Sequence, residues 1–251
     1  MKISLVLPVY KKEDEILKQI IRLENFFRDQ NFKYELIIVI DGIVDSSNKL
    51  VKSYIKRTDN QNIILKYNKT NMGKGYSVRK GFLLASGDIL GYIDADLDIN
   101  LETLAQALIT IRTDSVDAIF PSKFNTQSKQ SNMRKAYSII LNMIYRNFLN
   151  INPKVTDITF GLKLFKKNVI HDIQSKLHIN RFAIDAEIAY LISEKYHIEV
   201  IDGFLNKKRA KSTATNIFEI INILVDIVRI KYIHEIYNKY VINILHFPLS
   251  K

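Results

Sequence analysis

A chain of 251 residues fits one large domain or one domain with an appendage, and its hydrophobic content of 47% excludes wholesale disorder. The absence of cysteine excludes disulfides, thiolate metal sites and a cysteine nucleophile. With 37 lysines and arginines against 26 aspartates and glutamates, the net charge of +11 indicates a polyanionic partner such as nucleic acid, an anionic lipid or a phosphorylated substrate, although a codon bias toward lysine would contribute to the same charge.

The first half of the chain alternates short apolar runs with stretches of helical hydrophobic spacing. The apolar runs predict five buried strands, at 3–9, 35–40, 62–66, 88–93 and 116–120. The intervening patterns predict four helices, at 13–29, 45–57, 75–85 and 101–112. This alternation predicts an α/β fold in which a mostly parallel sheet carries helices on both faces.

The second half is less regular but continues the mixture of helices and strands. It predicts helices at 131–149 and 183–196, a loop and short strand at 156–166, a strand at 197–204 and a basic loop at 206–213. The opening apolar run is too short for a signal peptide, and no window of about 18 residues lacks charge. We therefore expect no transmembrane helix and a cytoplasmic protein that lies peripherally on the cytoplasmic face of a membrane.

The C-terminal residues 216–251 predict an amphipathic helical segment that follows a main domain at 1–215. Within 216–231 a narrow polar stripe interrupts an otherwise apolar helix, at Glu219, Asn222, Asp226 and Arg229. So wide an apolar face packs in the core or an oligomer, or it lies on a membrane surface as a peripheral contact. These alternatives stay open, and no pattern indicates an oligomeric state.

An acidic segment directly follows the fourth predicted strand, with carboxylates at the alternate positions Asp94, Asp96 and Asp98. Because ligands collect at the carboxyl ends of parallel strands, we expect this segment to lie near Asp41 and the glycine-bearing turn 71–75. Paired carboxylates suit Mg²⁺ or Mn²⁺, which often share such ligands with substrate phosphates. Asp94 and Asp96 are the predicted metal ligands, and Asp98 is an alternative cap for the helix that follows.

Six motifs of the chain resemble, in the same order, those of family 2 glycosyltransferases with the GT-A fold. They are LVLPVY (5–10), Asp41-Gly42 with Asp45, NMGKGYSVRKGFLLASGD (71–88), YIDADLD (92–98), TDITFGLKLF (156–165) and RFAIDAEI (181–188). Within the family, the chain is most similar to the polyprenyl-phosphate sugar transferases of the dolichyl-phosphate glucosyl branch. The resemblance implies an inverting, metal-dependent transfer of a hexose, namely glucose, from a UDP-linked donor to a polyprenyl or dolichyl phosphate.

The same resemblance implies roles for individual residues. The nucleotide-sugar would contact Pro8, Tyr10, Asp41, Lys74, Asp94 and Asp96, and the metal would bind Asp94 and Asp96. The candidate catalytic carboxylates are Asp96, Asp157 and Asp185. The phosphates of the two substrates would bind Lys123, Arg181, Lys207, Arg209 and Lys211. Because an acceptor phosphate is already ionised near neutral pH, a strong general base is less necessary than for a sugar hydroxyl.

The chain also departs from the usual family pattern. Lys11 and Lys12 stand where the family carries Asn-Glu, and Ala210 replaces a glycine of the basic loop. Two further hypotheses stay open: a family 2 transferase that acts on a polysaccharide or glycoprotein hydroxyl, and a nucleotide-sugar-binding protein without activity. A nucleic-acid-binding protein is disfavoured, because the positive charges are spread out and no nucleic-acid motif is present.

Overall fold

The computed structural model describes residues 1–125, 132–206 and 217–245, with side chains at 1–124, 136–206 and 221–235. The strands are β1 (Lys2–Val9), β2 (Lys33–Asp41), β3 (Ile63–Asn68), β4 (Ile89–Ile93), β5 (Ala118–Ser122), β6 (Leu162–Lys166) and β7 (Ile198–Asp202). The helices are α1 (Ile16–Asp29), α2 (Ser47–Thr58), α3 (Lys74–Phe82), α4 (Leu101–Thr110), α5 (Asn132–Leu149), α6 (Lys167–Ile173), α7 (Ile184–Ile192) and α8 (Ile217–Leu245).

The strands form one sheet in the order β3-β2-β1-β4-β6-β5-β7. The pairs β1–β2, β2–β3, β1–β4 and β5–β7 run parallel, whereas β6 runs antiparallel to both β4 and β5. The mostly parallel sheet predicted from the sequence is confirmed, with one reversed strand that the pattern did not indicate. Because of this reversal, the residues before β6 lie beside the end of β4, where Ile93 pairs with Leu162.

Each face of the sheet is covered by its own apolar core. In β1, Leu5 and Leu7 point to a core shared with α1, α2 and α4, whereas Val6 points to a core shared with α3, α5, α6, α7 and α8. This alternation follows from the two-residue repeat of a strand and explains why the buried strands are apolar throughout. Helices on both faces, as predicted, are thereby confirmed.

The described part of the C-terminal segment, Ile217–Leu245, is one continuous helix of 29 residues, α8. Its residues Ile223, Ile227 and Ile230 belong to the core, so the described part of α8 packs against the main domain; the division at residue 215 stays a prediction. The residues of the predicted polar stripe do not share one environment, because Asp226 is only 6% exposed whereas Arg229 is exposed. No helix among the described residues is both long and apolar enough to cross a membrane.

Two local predictions differ from the structure. Helix α4 is capped by Asn100, whose side chain accepts a hydrogen bond from the backbone N–H of Glu102 at 3.0 Å, so Asp98 is not the cap. Helix α6 was not predicted, since its seven residues follow β6 without an intervening turn residue and are too few to show a helical repeat.

Candidate active site

The turn before α3 is fixed by Asp41, the last residue of β2. Its Oδ1 accepts the backbone N–H of Met72 at 2.8 Å, and its Oδ2 accepts that of Gly73 at 2.8 Å. Asn68 at the end of β3 donates to the same carboxylate at 2.9 Å. Asp41 is 4% exposed. It therefore holds the shape of the glycine turn, and the predicted contact with a nucleotide base stays a prediction.

The glycines of this turn allow a second chain segment to approach closely. A Cβ on Gly73 would lie 2.2 Å from the carbonyl oxygen of Asn180, and one on Gly75 would lie 2.3 Å from that of Ile179. Gly73 also adopts a φ of +100°, which disfavours any side chain. The predicted phosphate ligand Arg181 follows directly and is exposed, so the structure places it next to the turn that precedes α3.

Asp94, the first residue after β4, is held on several sides. Its backbone N–H donates to the carbonyl of Gly161 at 2.8 Å, and Gln19 donates to its carbonyl at 3.3 Å. Lys74, in the first turn of α3, places its ammonium 3.0 Å from Asp94 Oδ1. The structure therefore brings together Lys74 and Asp94, which the sequence analysis had placed in one nucleotide-sugar site.

Asp96 lies in the same acidic segment and carries an unusual proton affinity. Burial, followed by the negative charges of Asp94 and Asp98, raises the pKa of Asp96 to about 6, although the positive charge of Lys12 acts in the opposite direction. The part of this shift that comes from the neighbouring carboxylates marks a place where a cation is electrostatically favoured. The donor set therefore fits a hard divalent ion.

No group of three or more metal-binding side chains is found within the described ranges. Asp94 and Asp96 stay the predicted metal ligands, and the remaining positions would belong to water and substrate oxygens. Such sharing is usual for Mg²⁺.

Asp185, a predicted catalytic carboxylate, is buried in the first turn of α7 and is surrounded by donors. Lys74 approaches its Oδ2 at 3.2 Å, Lys163 approaches its Oδ1 at 3.9 Å, and the hydroxyl of Tyr92 donates to Oδ1. Burial opposes the charge of Lys74, but the carboxylates of Asp185 and Asp94 outweigh it and raise the pKa of Lys74. Asp185 and Asp94 are therefore linked through one lysine.

Asp157, a further predicted catalytic carboxylate, is 1% exposed and lies against Lys123. The ammonium of Lys123 donates to its two oxygens at 3.1 and 2.9 Å, and the hydroxyl of Thr159 donates at 3.0 Å. The structure thus joins a predicted catalytic residue to a predicted phosphate ligand as a buried ion pair. Their roles toward substrate stay predictions.

The remaining predicted residues lie near the end of β1 or outside the described residues. Pro8 is half-buried near the end of β1, and Tyr10 follows that strand with 39% of its surface exposed. Lys207, Arg209 and Lys211 lie outside the described residues, so the basic loop stays a prediction.

Sequence reasoning gave no role to Gly161, Lys163, Tyr92 or Gln19, each of which contacts Asp94 or Asp185. Two of them lie in the motif TDITFGLKLF and one in YIDADLD. A fully buried lysine inside an apolar strand was the available signal for Lys163, because lysine is almost never buried without a reason. For Gly161 the signal required knowledge of the antiparallel pairing.

Comparison with known proteins gives the family. The sequence model described as glycosyl transferase family 2 matches residues 4–174, which is more than half of the chain. The chain therefore belongs to glycosyl transferase family 2 and is a glycosyltransferase.

Several similar proteins carry more specific names. A dolichyl-phosphate beta-glucosyltransferase of Dictyostelium discoideum is 29% identical over 247 residues, covering 92% of this chain and 74% of that protein. A protein of the same name from Homo sapiens is 27% identical, covering 82% of this chain and 67% of that protein. An undecaprenyl-phosphate 4-deoxy-4-formamido-L-arabinose transferase of Proteus mirabilis is 30% identical, covering 56% and 42%.

Solved structures confirm the GT-A fold. Glucosyl-3-phosphoglycerate synthase from Mycobacterium tuberculosis in complex with UDP superposes with a TM-score of 0.65 at 14% identity, covering 91% of this chain and 79% of that one. Mannosyltransferase PcManGT from Pyrobaculum calidifontis, in complex with GDP-Man and Mn²⁺, superposes with a TM-score of 0.56 at 17% identity. The superposition covers 80% of this chain and 54%, about half, of the mannosyltransferase chain.

Proposed function

We propose that this glycosyltransferase moves a hexose, namely glucose, from a nucleotide-sugar to a polyprenyl phosphate such as dolichyl phosphate. One observation carries the proposal: Lys74 holds Asp94 at 3.0 Å beside Asp96, at the carboxyl end of a central strand. Carboxylates and an ammonium at this edge of the sheet suit a metal-bound diphosphate. The names of the relatives favour glucose as the sugar and a lipid phosphate as the acceptor, and the glucosyl branch favours UDP as the nucleotide.

Asp94 and Asp96 would hold Mg²⁺ or Mn²⁺ together with the donor diphosphate. When bound, the ion would neutralise charge on the departing nucleoside diphosphate. Lys74 lies 3.0 Å from Asp94 and is 11% exposed, so it supplies a second fixed positive charge at the same place. The protein thus favours departure of the diphosphate through charges that are already in position.

The acceptor step needs no strong base. An oxygen of the ionised lipid phosphate would form the bond to the anomeric carbon of the sugar, while the bond from that carbon to the diphosphate breaks and its electron pair leaves with the nucleotide. Attack from the face opposite the leaving group inverts the anomeric centre. Asp157 and Asp185 are each bound to lysine in the buried interior, so we assign them to positioning rather than to proton removal.

We assign Arg181 to the acceptor phosphate. It is exposed and adjoins the turn before α3. Its positive charge acts to lower the pKa of Asp226 on α8. A guanidinium at that junction suits a phosphate because it offers several fixed donors. The acceptor head group would therefore lie between the donor site and α8.

The lipid chain gives a reason for the apolar surface of α5 and α8. We call this surface the apolar helix face; its exposed residues are Ile139, Ile140, Met143 and Phe148 of α5 and Ile221, Leu224, Val225, Val228 and Tyr232 of α8. The two helices pack together, with the ammonium of Lys231 lying 4.9 Å above the ring of Phe148. We propose that this face makes the peripheral membrane contact; a position on the cytoplasmic side stays a prediction.

The deciding experiment for the chemistry is a screen of several nucleotide-sugars with and without a polyprenyl phosphate, with products identified by mass. We expect UDP-glucose and the lipid phosphate to give a glucosyl phospholipid in the presence of Mn²⁺ or Mg²⁺. Asp96→Ala should abolish transfer, whereas Asp29→Ala, at the exposed end of α1, should not change it. Full activity in EDTA or in Asp96→Ala would remove the metal assignment, and transfer to a hydroxyl acceptor alone would remove the lipid phosphate.

The membrane contact has its own test in co-sedimentation with anionic liposomes. Leu224→Lys on the apolar helix face should release the protein from the vesicles. Ile109→Lys is the matched control, because Ile109 is 67% exposed but lies on α4, which packs on the opposite face of the sheet. Equal binding of the two variants would refute the assignment of this face.

A further inference from the structure

Lys163 is a fully buried lysine, the second residue of β6, and none of the roles above uses it. Its ammonium donates to the carbonyl of Phe160 and lies 5.1 Å from the ring centre of Phe120 and 6.0 Å from that of Tyr92. Its nearest carboxylate oxygen is Oδ1 of Asp185, at 3.9 Å. Burying an ammonium beside one close carboxylate costs free energy, because the charge loses its hydration. A functional role for Lys163 would account for that cost.

The arrangement around Asp185 indicates that role. Two ammonium groups share this carboxylate, since Lys74 stands 3.2 Å from one oxygen and Lys163 stands 3.9 Å from the other. Lys74 also stands 3.0 Å from Asp94. The order of charges is therefore Lys163, Asp185, Lys74 and Asp94, positive and negative in alternation, from the core to the donor site.

Alternating charges in this order depend on one another. While Lys163 is charged, it offsets the negative charge of Asp185, and Lys74 remains available to Asp94 and to a donor diphosphate. If Lys163 lost its charge, Asp185 would be balanced by Lys74 alone and would draw that ammonium toward the core. The interaction is strong because the groups lie in a poorly solvated interior.

We propose that Lys163 is a positioning residue for the donor: its charge fixes how Lys74 is divided between Asp185 and Asp94, and so sets the affinity for the nucleoside diphosphate. The proposal rests on the proposed function, in that it takes the diphosphate to bind at Asp94 and Asp96. It adds a residue that touches neither substrate and acts through two buried partners.

The charge on Lys163 is sensitive to pH near neutrality. Burial lowers the pKa of Lys163 to about 8, with the nearby charge of Lys74 acting in the same direction and the carboxylates of Asp185, Asp157 and Asp94 acting against it. Among the described residues, further ionisable groups near this cluster are Tyr92 of β4, Tyr145 of α5 and Lys123, which is paired with Asp157. Donor affinity should therefore fall as pH rises through about 8.

The test compares Lys163→Met, which removes the charge at similar volume, with Lys163→Arg, which retains it at all accessible pH values. The matched control is Lys166→Met, on the same strand but partly exposed at its end. Donor KM and kcat are measured from about pH 6.5 to about pH 9.5. We expect Lys163→Met to raise donor KM by about tenfold at neutral pH with a smaller change in kcat, and to remove the rise in KM above about pH 8.

Lys163→Arg, where it folds, should keep the low KM to higher pH, and Lys166→Met should behave as the unmodified protein. A donor KM in Lys163→Met that matches the unmodified protein, with the same pH profile, would overturn the proposal. A merely structural role would instead lower stability without changing the pH profile.

A ligand-free measurement separates this proposal from the proposed function. In a crystal structure of Lys163→Met, the separation of Lys74 Nζ from Asp94 Oδ1 should exceed the present 3.0 Å, while the contact of Lys74 with Asp185 tightens. If the unmodified protein transfers no sugar to a lipid phosphate, the proposed function fails, yet this distance still decides the role of Lys163. An unchanged distance would refute the positioning role whatever the substrate.

Discussion

Gly161→Ala is the change that most directly tests the geometry of the acidic segment. A Cβ at residue 161 would stand 2.1 Å from Oδ2 of Asp94, whereas ordinary van der Waals contact begins at 3.4 Å, so the carboxylate has to retreat by about 1.3 Å. Metal sites tolerate about 0.2 Å in their ligand distances, and a misplacement of about 1 Å can cost 100-fold in rate. We therefore expect about a 100-fold loss of transfer and a clear loss of Mn²⁺ affinity.

The fold should survive this substitution, because the backbone of Gly161 is not among those with positive φ. Mn²⁺ affinity is measured by calorimetry with the nucleoside diphosphate present, and stability by thermal unfolding. The control is a double-mutant cycle: in an Asp94→Ala background, Gly161→Ala should cost little further, because the carboxylate is gone and only the Cβ of residue 94, at 3.1 Å, remains close. Additive losses in the cycle, or full activity in the single variant, would refute the reasoning.

Two further predictions concern stability. Burial would raise the pKa of Glu35, but hydrogen bonds from Lys2, from serine side chains and from a serine backbone N–H lower this pKa overall. The ionised Glu35 therefore stabilises the fold at neutral pH, and this stabilisation is lost as pH falls below about 4.5. Glu35→Gln should thus cost about 1–3 kcal/mol at pH 7 in urea denaturation, and the difference should shrink in acid; a constant difference would contradict the linkage. Glu187 accepts the backbone N–H groups of residues 178 and 179 and lies 3.0 Å from His234 of α8, so Glu187→Ala should lower the unfolding free energy by about 3 kcal/mol or more, and a loss under about 1 kcal/mol would count against it.

Much of the sheet could be predicted because its strands are buried on both faces. Runs such as 35–40 are apolar throughout, and a strand of that kind between helical patterns indicates a parallel sheet. The antiparallel entry of β6 could not be predicted, since its five residues carry no signal of direction. That one reversal decides the site, because it brings the carbonyl of Gly161 to the backbone N–H of Asp94.

The sequence predicts that the acidic segment lies at the strand ends. It does not predict which carboxylate of the segment is bound by other side chains, or which side chains bind it. The spacing of Asp94 and Asp96 placed both at the carboxyl edge, where parallel strands collect ligands. Which lysine reaches Asp94 depends on the start of α3, and what faces that lysine depends on α7, which lies about 110 residues further along the chain. Contacts of that range leave no periodic pattern in the sequence.

Helix α8 shows that helical spacing alone does not tell which side of a helix is buried. Its polar positions do recur at helical spacing, yet Asp226 faces inward while Leu224, Val225 and Val228 face outward. A helix with apolar residues around most of its circumference can bury only one side against the sheet. The other side is then left to a partner of similar polarity, which is the physical basis for proposing a membrane contact.

The lysine at position 12 changes the electrostatics expected of the donor site. Its positive charge lowers the pKa of Asp96 against the effects of burial and the neighbouring carboxylates, and it is paired with Glu15 at 2.8 Å. A glutamate at this position, usual for the family, would add negative charge beside Asp96 and strengthen the attraction for a free divalent ion. With lysine there, the protein alone attracts the ion less, whereas the same charge favours a diphosphate. Metal and donor are therefore expected to bind together rather than in sequence, with each making the site more favourable for the other.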